Sequence, residues 1–280
     1  MISTRKDVAG DLDLDAEVCV IGSGAGGSVI AKELAEAGRD VLLLEQGGYH
    51  TKEDFTQRED EMMPLLYEDM GQRATSDGTI MILQGRGIGG STVHNLCYCF
   101  RTPAPILELW REKHGLKEMS EKDMRPSFER VERTLKVQQI QPHEVNVLND
   151  KIRKGCEKLG YHGFVTRHNR EHCTLSGFCL LGCPFDAKQS MLITYIPAAD
   201  KAGARIFADC RVDRIVTDGG RVRAIEGAVM RGRTASITSA SRPKCLSFPP
   251  VRSIHRRFCS TAVSPTATVR SAATSTSIPA

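Results

Sequence analysis

Glu17-Val18-Cys19-Val20-Ile21-Gly22-Ser23-Gly24-Ala25-Gly26-Gly27-Ser28-Val29-Ile30 is the stretch whose reading decides the fold. Its first five residues are a short run of strand type, and a glycine cluster follows at once. From Ser28 to Ala37, the residues Val29, Ile30, Leu34 and Ala37 recur at helical spacing. Gly38 stands where a helix stops, and Val41–Leu44 is a second apolar run that ends at Glu45. The pattern is a βαβ unit, and both strands read as buried on two faces, as in a parallel sheet. Gly22-x-Gly24-x-x-Gly27 in this setting is a dinucleotide fingerprint. Gly22 permits the tight turn, Gly24 lets a pyrophosphate approach the backbone, and Gly27 lets the helix pack on the sheet. A helix N-terminus at Ala25 and Gly26 offers free N–H groups and a positive dipole end to phosphates. Ser23 completes this first set of candidate cofactor-binding residues. Glu45 can accept a hydrogen bond from an adenosine ribose hydroxyl and would repel a 2′-phosphate. That favours NAD or FAD over NADP and leaves the first two open.

Composition bounds the rest. The chain has 280 residues, 40% hydrophobic and 26% charged, enough for one or two globular domains and unlike a disordered chain. All 34 acidic residues lie at or before Glu226, as do 30 of the 38 Lys and Arg, so residues 1–226 carry 30 − 34 = −4. The remaining 8 basic residues follow Glu226. The basic excess therefore belongs to the tail and does not make the body a nucleic-acid binder. The N-terminus shows no apolar leader, and no run reaches the roughly 18 apolar residues of a membrane span. A cytoplasmic protein with no membrane span is the expectation. Ten cysteines in a chain of this length are not a disulfide scaffold.

Further along, residues 51–80 read as loop or short helix. Ile80–Leu83 is apolar and leads into a second glycine cluster, Gly85-Arg86-Gly87-Ile88-Gly89-Gly90-Ser91-Thr92. Residues 104–160 read as helices, with Ser120 and Asp123 spaced for a capping box and Gly160 as a stop. Trp110 reads as a core anchor on its helix. A cysteine-rich loop spans 172–184, and Ser190 to Ala202 reads as helical with a break near Pro197. Residues 205–229 read as strands. The domain reading is 1–100 and 203–230 as two parts of one dinucleotide-binding domain, 101–202 as a helical and loop insertion, and 231–280 as a tail.

The second glycine cluster carries a resemblance. Residues 19–27, Val41-Leu42-Leu43-Leu44-Glu45-Gln46-Gly47-Gly48 and Gly85 through Asn95 together resemble the glucose–methanol–choline (GMC) family of FAD oxidoreductases, nearest its long-chain alcohol oxidase branch. A looser likeness covers Cys173–Lys188 and the strands at 205–229. The resemblance implies an α/β, Rossmann-type three-layer FAD domain with a helical insertion, a small-molecule alcohol as substrate, and FAD as cofactor. It extends the cofactor-binding set to Gln46, Gly85, Gly89, Gly90, Ser91, His94, Asn95 and Val212, the last meeting the adenine. In some members a histidine at the place of His94 bonds covalently to the flavin; the alternative, packing near the ring, is favoured here. The family's catalytic base is a histidine near its C-terminus, so no catalytic residue is assigned among these residues.

Cys173-x5-Cys179-x3-Cys183 admits three readings. They are family-loop cysteines, which is favoured, ligands of an iron–sulfur cluster, or a zinc site with His168 or His172. Cys97-x-Cys99 reads as two strand residues whose thiols diverge. No metal site is assigned. The iron–sulfur reading would make the chain an electron-transfer dehydrogenase subunit. A non-catalytic flavin-binding remnant and an ordinary NAD dehydrogenase are further alternatives.

Near residue 231 the character changes. Residues 234–280 hold 17 Ser or Thr and 5 Pro, and no Gly, Asp or Glu. This reads as translation in a shifted frame, against a natural Ser/Thr/Pro-rich tail. The expectation is a C-terminally truncated product that lacks the catalytic base, binds FAD weakly and does not turn over.

Overall fold

The structure is a computed structural model, and it describes residues 1–230 together with Leu246–Ser247. In chain order its elements are β1 (Ile2–Ser3), β2 (Val18–Ile21), α1 (Ala25–Glu36), β3 (Val41–Leu44), α2 (Glu59–Leu66), α3 (Ala104–His114), α4 (Glu121–Thr134), β4 (Val137–Gln139), α5 (Val147–Leu159), β5 (Arg167–Asn169), α6 (Tyr195–Lys201), β6 (Arg205–Phe207), β7 (Cys210–Asp218), β8 (Arg221–Val229) and β9 (Leu246–Ser247). The tail reading for 231–280 lies outside the described residues except at β9, which pairs antiparallel with β8.

A parallel sheet of order β1-β6-β3-β2 forms the middle layer. The four residues of β3 are all buried, because each face of this strand meets a different layer. Val41 and Leu43 join Ala31 and Ala35 of α1 and Ile196 and Ala199 of α6. Leu42 and Leu44 join Cys210 and Ile225 of the antiparallel β7–β8 pair. Each Val, Leu or Ile side chain among these contributes about 1.5–3 kcal/mol on burial. Helices, parallel sheet and antiparallel sheet make the expected three-layer α/β, Rossmann-type domain.

The expectation that both strands of the βαβ unit are buried on two faces holds for β3 and fails for β2. Among the described residues β2 is an edge strand, only Val20 of it is buried, and Ile21 is exposed. An apolar run shows that a strand has core neighbours, but the sheet order decides how many. β1 went unread in the sequence: two residues pair parallel with β6, and the terminal amino group meets Asp200.

α1 begins at Ala25, within the glycine cluster, and presents Ser28, Ala31 and Ala35 to the core. These small residues let it lie close to the sheet. It ends in a Schellman turn, in which Gly38 N–H donates to Ala35 O at 2.9 Å and Arg39 N–H to Leu34 O at 3.0 Å. In the insertion, α4 carries the predicted capping box: Asp123 N–H donates to Ser120 Oγ, and Ser120 N–H to Asp123 Oδ2, both at 3.2 Å. Gly160 caps α5 in the left-handed region, as the stop signal implied. α6 starts at Tyr195 rather than Ser190, with Pro197 in its first turn where no N–H is needed. Trp110 is only half-buried; Leu107, one turn earlier, takes the anchoring place on α3.

Candidate functional site

Ser23 is where the candidate residues converge. Its N–H and Oγ both donate to Glu45 Oε2, at 2.9 and 2.8 Å, and its Oγ accepts from Gly89 N–H at 3.1 Å. Thus the loop after β2, the end of β3 and the second glycine cluster are tied at one buried hydroxyl. Glu45 Oε1 accepts from Gly47 N–H at 2.9 Å. A carboxylate offers about four acceptor positions, so one remains on Oε1 for a ligand hydroxyl.

Close backbone approach explains the glycines. A Cβ on Gly27 would lie 1.9 Å from the Gly22 carbonyl oxygen. A Cβ on Gly90 would lie 2.9 Å from Gly24 Cα, so the two clusters touch. A Cβ on Gly24, in contrast, meets nothing within 4 Å. Ala25, Gly26, Ser91 and Asn95 are exposed around it, and Gly22 and Gly27 half-exposed. The result is an open floor at the N-terminus of a 12-residue helix, whose first-turn N–H groups lack partners within the helix. These residues fit a pyrophosphate: the floor has room where Gly24 has no side chain, and its donors suit an anion.

β7 completes the surround. Cys210 N–H donates to Glu45 O at 2.7 Å and Asp209 N–H to Gly47 O at 2.8 Å, which fastens the return strand to the end of β3. Val212, two residues after Cys210, packs partly buried against the cluster that contains Leu42 and Leu44. Gly85 N–H donates to Ser91 Oγ at 2.8 Å. Gln46 points elsewhere, donating to Glu68 Oε2 at 3.4 Å; Glu68 in turn pairs with Arg73 and Arg86.

His94 lies in the packed interior. It is 3% exposed, its ring sits 3.9 Å from that of Tyr67 at 37°, and its Nε2 has no partner. Burial, with Lys188 nearby, pushes its pKa down to about 4, so the ring is neutral at pH 7. A covalent bond from Nε2 to a cofactor would require the ring to leave this packing. Asn95 is exposed, and its Oδ1 accepts from Cys97 N–H at 3.1 Å.

The cysteines are arranged differently from the strand reading. Cys97 is not on a regular strand: its φ is +65°, and the segment makes only an isolated bridge, Tyr98 with His168. Instead of diverging from Cys99 by pleat, Cys97 is buried and lines a cavity that it shares with Cys179. Cys173, Cys179 and Cys183 line one cavity of about 290 Å³ with Cys97, Arg170 and Lys188. Among the described residues no three His, Cys, Asp or Glu groups are placed together as they stand to hold a metal ion. Sequence reasoning missed Lys188, a buried ammonium that donates to Val93 O at 2.9 Å, Asn95 O at 2.6 Å and Cys179 O. A lysine within Ala187–Ser190, a buried run, is its only local signal.

Comparison with known proteins gives consistent findings. A family model described as GMC oxidoreductase matches residues 63–247, and one described as NAD(P)-binding Rossmann-like domain matches 20–51. An uncharacterised GMC-type oxidoreductase of Mycobacterium tuberculosis is 32% identical over 225 residues, covering 79% of this chain and 36% of that protein. A long-chain-alcohol oxidase of Arabidopsis thaliana is 34% identical over 201 residues, covering 71% of this chain and 27% of that one. The chain thus spans about a third of the length of these relatives. Among solved structures, pyridoxine 4-oxidase of Mesorbium loti superposes with a TM-score of 0.59 at 18% identity, over 76% of this chain and 46% of that one. This last likeness speaks for the fold.

Proposed function

The chain belongs to the GMC oxidoreductase family, and on that premise we propose that residues 1–230 are the FAD-holding part of an enzyme that oxidises the CH–OH group of an alcohol. The observation that carries the reading is the convergence of both glycine clusters and Glu45 on Ser23, beside the open N-terminus of α1. Gly22 through Gly27 with Gly89, Gly90 and Ser91 would hold the pyrophosphate, Glu45 a ribose hydroxyl, and Val212 the adenine side. Bound there, FAD would supply a two-electron acceptor for the alcohol. This chain's own residues bind and orient it: α1 directs donors at the phosphates, and Ser23 holds the two loops in register. A long-chain or otherwise apolar alcohol is the proposed substrate class, supported by the name of the Arabidopsis relative. In this reading 1–100 and 203–230 form the flavin-holding body and 101–202 the insertion, with α6 returning the chain to α1. A cytoplasmic setting is part of it, supported by eight described cysteines that are all free thiols.

Tested by itself, the 280-residue polypeptide is expected to bind FAD weakly and not to oxidise alcohols. The two histidines nearest the glycine clusters, His50 and His94, are half-buried and buried, and burial lowers both pKa values. Equilibrium titration of the purified chain with FAD and with NADH tests the cofactor. Saturable flavin quenching without NADH binding is expected, and preferential NADH binding would overturn it. Adding fatty alcohols anaerobically to the flavin-loaded chain tests turnover: unchanged flavin absorbance is expected, and bleaching would overturn the inactivity.

A further inference from the structure

The cavity beside the second glycine cluster holds a charge problem. Lys188 is 3% exposed, and its ammonium donates to three carbonyls, of Val93, Asn95 and Cys179. Carbonyls satisfy hydrogen bonds but do not neutralise a charge, and a buried ammonium without a counter-ion is costly. The groups that face it and can become anions are the thiols of Cys97, Cys179 and Cys183. Arg170, which also lines the cavity, adds a second cation near Cys179, and it is itself paired with Glu144 at 2.9 Å.

Two of these residues, Cys97 and Cys179, line the same cavity, and their proximity makes the two thiols unequal. The neighbouring Cys179 sulfur, with burial, pushes the Cys97 thiol up, and the neighbouring Cys97 thiol favours Cys179 as thiolate. With Lys188 and Arg170 nearby, the Cys179 thiol is pushed down to about 6. Both residues line the 290 Å³ cavity, which has room for a small reagent beside them. An anionic thiol beside a protonated one is the arrangement of an attacking and a resolving cysteine.

We propose that Cys179 and Cys97 form a peroxide-reactive thiol pair that closes reversibly to a disulfide. The Cys179 thiolate attacks one oxygen of hydrogen peroxide, and the O–O bond breaks. Sulfur keeps that oxygen as sulfenic acid, while the departing hydroxide takes a proton and becomes water. The Cys97 sulfur then attacks the Cys179 sulfur: the S–S bond forms, the S–O bond breaks, and the Cys97 proton leaves with the hydroxyl as a second water. The two thiols lose two electrons, and peroxide gains them. This assignment is independent of the flavin reading and holds whether or not the chain binds FAD.

The test is peptide mapping of the purified chain after stoichiometric hydrogen peroxide, alkylation of remaining thiols and trypsin digestion. Residues 87–101 and 171–188 are the two tryptic peptides concerned. A linkage localised to Cys97 and Cys179, and lost with dithiothreitol, is expected. Cys97→Ser should stop the reaction at a dimedone-reactive sulfenic acid on Cys179, and Cys179→Ser should abolish both products. Iodoacetamide labelling of Cys179 in the reduced chain should show a pH midpoint near 6, and Lys188→Met should move it upward. Should Lys188→Met fail to fold, the wild-type pH profile decides by itself. A midpoint at the ordinary thiol value of about 8.5, a linkage from Cys179 to Cys173 or Cys183 instead, or no linkage at all would overturn the proposal.

Discussion

Gly24 and Gly27 lie three residues apart in one loop and answer to different demands. Gly27 is required by the fold: a methyl there would meet the Gly22 carbonyl at 1.9 Å, and neither backbone segment can retreat. Gly27→Ala should lower stability by about 1–3 kcal/mol, the range of an overpacked interior, read as a fall in the denaturation midpoint. The fold makes no such demand at Gly24, where a methyl meets no protein atom within 4 Å; in the proposed FAD reading the pyrophosphate makes it. Gly24→Ala should keep the wild-type midpoint and lose at least tenfold in FAD affinity, and equal affinity would remove the pyrophosphate from this floor. His94 adds a pH signature. Its folded pKa of about 4 lies below the unfolded value of 6.5, so between them the unfolded chain binds more protons. Its contribution to stability is present in full above pH 6.5 and is lost as pH falls toward 4. His94→Gln should flatten the denaturation midpoint against pH over that window, and an unchanged slope would place its source elsewhere.

Elements show which local signals survive folding. The stop at Gly38, the capping box at Ser120 and the stop at Gly160 were all legible, because each is a contact between residues a few positions apart. Ser120→Ala removes an oxygen that satisfies the Asp123 N–H of α4. It should cost about 1 kcal/mol in chemical denaturation, with FAD affinity unchanged because α4 belongs to the insertion. β2 and β3 were not separable in the same way. Both are four-residue apolar runs, yet one is an edge strand and the other is buried on both faces. Trp110 failed as an anchor for a related reason: its size says that burial would be favourable, and only the neighbours of α3 say which side is covered.

At the scale of the whole molecule, the described residues leave apolar surface open. Ile80, Met81, Ile82 and Leu83 are all exposed beside the second glycine cluster, and Val147, Leu148, Ile152 and Leu159 form an exposed stripe on α5. Contiguous apolar surface of this kind drives association. The purified 280-residue chain should therefore self-associate with rising concentration in light scattering. Leu148→Lys with Ile152→Lys should reduce that association while leaving the thermal midpoint unchanged, since neither side chain packs in the core.

What the sequence by itself determined is everything written in short-range spacing. The glycine fingerprint between a strand and a helix, the acidic residue at the second strand's end, the second glycine cluster and the helix caps set the fold class and the candidate cofactor residues. They do so because turn conformation and helix ends depend on adjacent residues. Only the tertiary structure decided the rest. It made Ser23 the knot between Glu45, 22 positions away, and Gly89, 66 positions away. It turned His94 inward against Tyr67, and it brought Lys188 and Cys179 to Cys97 across more than eighty residues. A buried ammonium and its thiolate have no sequence signature, because the desolvation that couples them exists only once the chain has closed around both.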